Sequence, residues 1–123
     1  LNYYFKVELL DNNNSRAWRP IAWCAFLSRK FEVAKDYYSR IADKNPTAHD
    51  YLNAGHVELC LGNIKQVVKL YTLSKEKAGD MEAWKALLYD DEIELQRAGV
   101  DTAILPFIMD KMRYEEEEEK PTS

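Results

Sequence analysis

Three large aromatic residues, Trp18, Tyr51 and Trp84, stand at an even interval of 33 residues. A fixed period in this range marks a chain built from stacked copies of one supersecondary unit. Each aromatic is followed, three and four positions on, by a small or apolar pair: Ile21-Ala22, Ala54-Gly55 and Leu87-Leu88. That is the spacing of one helix face. The middle unit, Tyr51 to Tyr71, shows the design best. Tyr51, Ala54, Gly55 and Glu58 recur at helical spacing, Gly62-Asn63 interrupts, and Ile64, Val67, Val68 and Tyr71 take the pattern up again. Glycine at such a break predicts a tight turn between two helices. A hairpin of this kind is apolar on more than one side and requires neighbours of the same kind to cover it.

The punctuation along the chain sets the expected units. Ser28-Arg29-Lys30 is the turn of the unit 14–46, and Asn45-Pro46 ends it, because the residue before proline avoids the helical region. Thr47 opens the unit 47–79 as a cap, and Gly79-Asp80 closes it and caps the next. The unit 80–114 reads as one long helix, Met81 to Arg97, stopped by Gly99, then a last helix capped by Asp101. Its turn comes later than in the unit before it, so this unit is degenerate. Upstream, Tyr4 precedes Trp18 by nearly the interval at which Tyr38 precedes Tyr51 and Tyr71 precedes Trp84. Residues 1–12 therefore read as the second half of an earlier unit, with Asn14 or Ser15 capping the next helix. The expectation is a piece of a longer repeat protein.

With these residues in place, the chain resembles the tetratricopeptide repeat family, whose pattern is W-x2-L-G-x2-Y, then A-x3-F, then P. The first unit supplies Trp18, Ile21, Ala22 and Ala25, then Ala34 and Tyr38, then Pro46. The second supplies Tyr51, Ala54 and Gly55, then Val67 and Tyr71; the third supplies Trp84, Leu87 and Leu88, then Ala103 and Phe107. Glu58 and Asp91 depart from it, standing where the pattern has an aromatic, and Gly79 fills a proline slot. The resemblance implies an all-α, right-handed α-α superhelix of stacked helix-turn-helix units. It also implies a concave groove, lined by first-helix residues, that holds an extended peptide or a partner helix. The residues it places there are Arg16, Arg19, Trp23, Leu52, Asn53, His56, Lys85 and Tyr89. Asn53 is similar to the asparagine with which some members hold a peptide backbone or carboxylate. Trp23 and Tyr89 are the expected anchors, since aromatics dominate interface hot spots.

Charge narrows the partners. The chain carries a net charge of −4, all of it in the run Glu115 to Glu119 offset by Lys120, so the body is balanced. A balanced body has no cationic excess to neutralise phosphates, which argues against nucleic acid. The like-charge run predicts a disordered tail over 115–123. No apolar run reaches the length of a membrane span and no signal peptide opens the chain, which favours a cytoplasmic over a secreted setting. Cys24 and Cys60 lie in helical patterns and read as small buried hydrophobes rather than a disulfide framework.

Nothing in the pattern demands catalysis. His56 and Cys60 share a helix face, but a zinc site needs further ligands that no suitable spacing supplies. Asp90, Asp91, Glu92 and Glu94 point in different directions on a helix and read as a solvated face. The expectation is a scaffold without catalytic activity, cofactor or metal, binding a protein or peptide partner. The alternatives are a structural C-terminal cap and a regulatory ligand-sensing module of a longer protein. Residues 1–10 are apolar on several sides and predict self-association of the chain through that helix.

Overall fold

A computed structural model describes residues 15–119. The expected half unit 1–12, its self-association surface at 1–10, and residues 120–123 lie outside the described residues. Among the described residues the structure is all-α, with no strand. A 3-10 turn, Ser15–Ala17, leads into α1 (Trp18–Leu27). Then come α2 (Phe31–Ala42), α3 (Ala48–Leu61), α4 (Ile64–Ala78), α5 (Met81–Asp90) and α6 (Glu92–Arg97). A second 3-10 turn, Thr102–Ile104, precedes α7 (Leu105–Glu119).

Two hairpins lie where the periodicity puts them. α1 packs on α2 and α3 on α4, and α2 and α3 join the two hairpins side by side. The turn between α1 and α2 places Arg29 at φ 61°, and the turn between α3 and α4 places Gly62 at φ 82°. Thr47 starts α3 with a complete capping box: its hydroxyl accepts from the Asp50 amide, and the Asp50 carboxylate accepts from the Thr47 amide. The Asp80 carboxylate caps α5 by accepting from the Ala83 amide, at 2.8 Å.

The third unit departs from expectation. Met81 to Arg97 is two helices, broken at Asp91. α6 lies beside the end of α1, where the Arg29 guanidinium donates to the Arg97 carbonyl at 2.6 Å. α7 packs on α4. Ala103 and Phe107, the family-pattern slots of this unit, are exposed, and Leu105, Ile108 and Met112 are buried instead. The register of α7 follows its own apolar face. α7 also runs on through Glu119, so the glutamate run expected to be disordered from 115 continues a helix over its first five residues.

Trp84 is fully buried and Trp18 nearly so, as the 33-residue period requires of core residues. Tyr51 is a partial exception: it is half-buried at the edge of a cleft. Between the units runs a column of rings, Phe26 to His56 to Tyr71 to Trp84, with centroids 6.3, 5.6 and 5.3 Å apart. It links α1, α3, α4 and α5.

Gly55 explains how Tyr71 reaches that column. A Cβ at Gly55 would stand 2.4 Å from two ring carbons of Tyr71, so the ring lies against the bare α3 backbone. Gly55→Ala forces Tyr71 out of its place and should cost about 1–3 kcal/mol, the usual cost of overpacking. Urea unfolding of the variant measures it. A loss well under 1 kcal/mol would mean that the ring shifts aside freely.

Candidate functional site

The eight residues expected to line one groove do not form a single surface. Leu52 and His56 have no exposed area and belong to the core, which removes them from any partner contact in this structure. The Arg19 guanidinium forks onto the Asp50 carboxylate, Nε to Oδ1 at 2.8 Å and Nη2 to Oδ2 at 2.6 Å. Its charge is thereby matched within the fold. Trp23 is half-buried and stacks on Phe26 at 5.2 Å. Asn53 is half-buried, with a buried Oδ1 that has no hydrogen-bond donor, and its side chain bonds to Tyr38. Arg16 and Tyr89 are exposed. Lys85 alone of the eight lines the large groove described below.

His56 is buried by a three-residue junction. Its Nδ1 lies 2.7 Å from the Tyr71 hydroxyl and its Nε2 lies 3.0 Å from Asp91 Oδ2. Burial holds the His56 pKa below its ordinary value, and the Asp91 carboxylate opposes that only in part. Burial likewise raises Tyr71 well above the usual tyrosine range. The ring is therefore neutral and the phenol protonated near neutral pH. Since a carboxylate only accepts, Nε2–H donates to Asp91 and Nδ1 accepts from Tyr71 O–H. Both ring nitrogens are committed, so His56 and Cys60 do not form a metal pair. Burial pushes the half-buried Cys60 thiol up to about 11. Among the described residues no group of three or more His, Cys, Asp or Glu is placed to hold a metal ion.

An open groove of about 1090 Å³ lies between α4, α5 and α7. α4 lines it with Lys65 and Lys69, one turn apart, and α5 with Lys85. Leu73, Met81 and Met109 supply apolar area, and Pro106, early in α7, lies at its edge. Four acidic side chains also line the groove, Glu76, Asp80, Asp110 and Glu115; Asp80 is engaged in capping α5 and Asp110 is paired with Arg113. No carboxylate lies within ion-pairing distance of Lys65, Lys69 or Lys85 among the described residues. Lys65 and Lys69 escape a reading confined to first helices, because they sit on the second helix of their unit. Their i, i+4 spacing on the exposed face of α4 is the signal that marks them.

Comparison with protein-family models, curated proteins and solved structures gives no match. Function is therefore read from the geometry of these sites. No helix among the described residues is long and apolar enough to cross a membrane.

The junction makes a pH prediction with a definite sign. The folded-state pKa of His56 is lowered, so on acidification the unfolded chain takes up a proton at its ordinary value, about 6.5, that the folded chain refuses. Stability should fall as pH drops below that value, with a slope of up to about 1.4 kcal/mol per pH unit. Asp50 acts lower: burial pushes its carboxyl upward, but Arg19 and Thr47 outweigh burial and hold it below the usual range. Its contribution is lost only as pH falls through that lowered value. Urea unfolding at pH 7.5, 6.5 and 5.5 should therefore show a decline in the wild type and a flatter profile in His56→Gln. Equal slopes in the two proteins would exclude His56 as the titrating group.

Proposed function

We propose that this chain is a non-catalytic interaction scaffold, a tetratricopeptide-like stack of helical hairpins that holds an acidic peptide or helix. The observation that carries the reading is the open groove between α4, α5 and α7, with Lys65, Lys69 and Lys85 on its walls and no carboxylate paired with them. Its size suits an extended segment or one helix face. The apolar residues at Leu73, Met81 and Met109 give such a segment something to bury. Ammonium groups on the walls select acidic side chains and speed their approach more than they add affinity. The right-handed superhelical arrangement and family membership belong to the same proposal; two side-by-side hairpins with a 33-residue period support them.

A second reading, a structural cap, has its own support. Asp91 bonds to His56 and Arg29 bonds to Arg97, so the last unit is tied back onto the first two. The two readings are compatible, since a unit that closes a stack still presents a groove on α4.

The test is the affinity for a labelled peptide of alternating glutamate and leucine, followed by fluorescence anisotropy. Lys69→Glu combined with Lys85→Glu should weaken binding about tenfold or more and reduce its salt dependence. The same peptide with glutamine in place of glutamate should bind much more weakly. Unchanged affinity in the double variant would place the partner elsewhere.

A further inference from the structure

α3 presents Asp50, Ala54 and Glu58 one turn apart on one face, and that face lines a second cleft, between α2 and α4. The cleft has a volume of about 330 Å³, at the lower end of the range for small-ligand pockets. Tyr38 of α2, Leu70 of α4 and the half-buried Tyr51 complete the walls.

Two of the three residues of the α3 face are buried carboxylates, Asp50 at 5% and Glu58 at 3% exposure. Their partners differ in quality. Asp50 is held by the Arg19 fork and by the Thr47 amide at 2.8 Å, so little of its accepting capacity is left. Glu58 Oε2 accepts from Asn63 Nδ2 at 3.1 Å. Its Oε1 lies 3.2 Å from Lys35 Nζ, within ion-pairing distance, but accepts no hydrogen bond. The Lys35 side chain is 46% exposed, against 4% for Glu58. A buried carboxylate oxygen without a hydrogen bond is costly, and a half-exposed lysine beside it compensates poorly.

We propose that the α2–α3–α4 cleft binds a primary ammonium or guanidinium group on an alkyl stem, which donates to Glu58 Oε1 in place of Lys35. Ala54 leaves the space for it on α3, and Leu70 packs against the stem. Tyr51 adds an aromatic ring to the lining of the cleft. Asp43 at the rim adds a further negative charge. A hard divalent cation is a poor fit, because it takes six or more oxygen ligands. This cleft is distinct from the lysine-lined groove and has the opposite charge preference, so it does not depend on the scaffold reading. The same chemistry can arrive as a small free amine or as a lysine or arginine side chain of a peptide.

Nitrogen–proton NMR spectra of the labelled protein test both sources. The cationic probes are n-butylammonium and acetyl-Gly-Arg-Gly-amide; the neutral controls are 1-butanol and acetyl-Gly-Gln-Gly-amide. A cationic probe should shift the amides of Tyr38 and of residues 50–58, and the controls should not. Shifts with the peptide alone assign a partner side chain, and shifts with butylammonium assign a free amine. No shift with either cation, or equal shifts with the controls, overturns the proposal. Ala54→Leu fills the space on α3 and should abolish binding while circular dichroism shows the helices retained. Lys35→Ala removes the competing cation and should tighten binding severalfold. Weaker binding in Lys35→Ala would overturn the displacement of Lys35 by the ligand.

Discussion

The contact on which the rest of this structure depends is the burial of Tyr71 against Gly55. With no side chain at Gly55, the phenol ring lies on the α3 backbone and carries its hydroxyl to His56. His56 then turns its other nitrogen to Asp91, the residue at which the third unit bends. The missing methyl group lets the Tyr71 ring lie against α3 and meet a buried imidazole that is bonded, on its other side, to the residue at which the last unit turns. Buried polar groups are tolerated because each member of the chain is satisfied; removing one leaves the others unpaired in a low dielectric.

The bend at Asp91 decides what surface is available. A straight helix from Met81 to Arg97 would carry its last turns away from the first hairpin. Broken there, α6 returns to the end of α1, buries Leu95 completely and receives the Arg29 guanidinium at the carbonyl of Arg97. That carbonyl lies at the C-terminus of α6, where the helix dipole favours a cation. His56 lies in the core beside that bend, bonded to Asp91. The open clefts lie on either side of α4: Lys65, Lys69 and Lys85 line one, and Asp50 and Glu58 of α3 line the other.

Charge is organised by the same logic of compensation. Asp50 serves at once as a helix cap and as the acceptor of the Arg19 fork, so an arginine that looks available in the sequence is spent inside the fold. Lys65, Lys69 and Lys85 have no such partner among the described residues. Exposed lysines on a helix face are ordinary. Three on the walls of one groove, beside apolar area, are an arrangement that a partner segment can use.

The sequence by itself determined the helical class, the first two hairpins and their turns, the caps at Thr47 and Asp80, and the core roles of Trp18 and Trp84. These follow from local rules: a 3.6-residue apolar period, glycine at a left-handed turn, and a side-chain oxygen before a helix start. The 33-residue interval carried the same information between units. The interruption at Asp91 was visible only as a misfit, an acid where an aromatic was expected, and the partner of that acid is a histidine 35 residues earlier in the chain. Phe107 and Ala103 matched a pattern by spacing, yet α7 packs through Leu105, Ile108 and Met112, since contact with α4 rather than position in a repeat selects the buried face. The placement of Leu52, His56 and Arg19 was likewise decided by tertiary packing. Helical spacing says which side chains share a face; it does not say which neighbour covers that face or which carboxylate meets an arginine there.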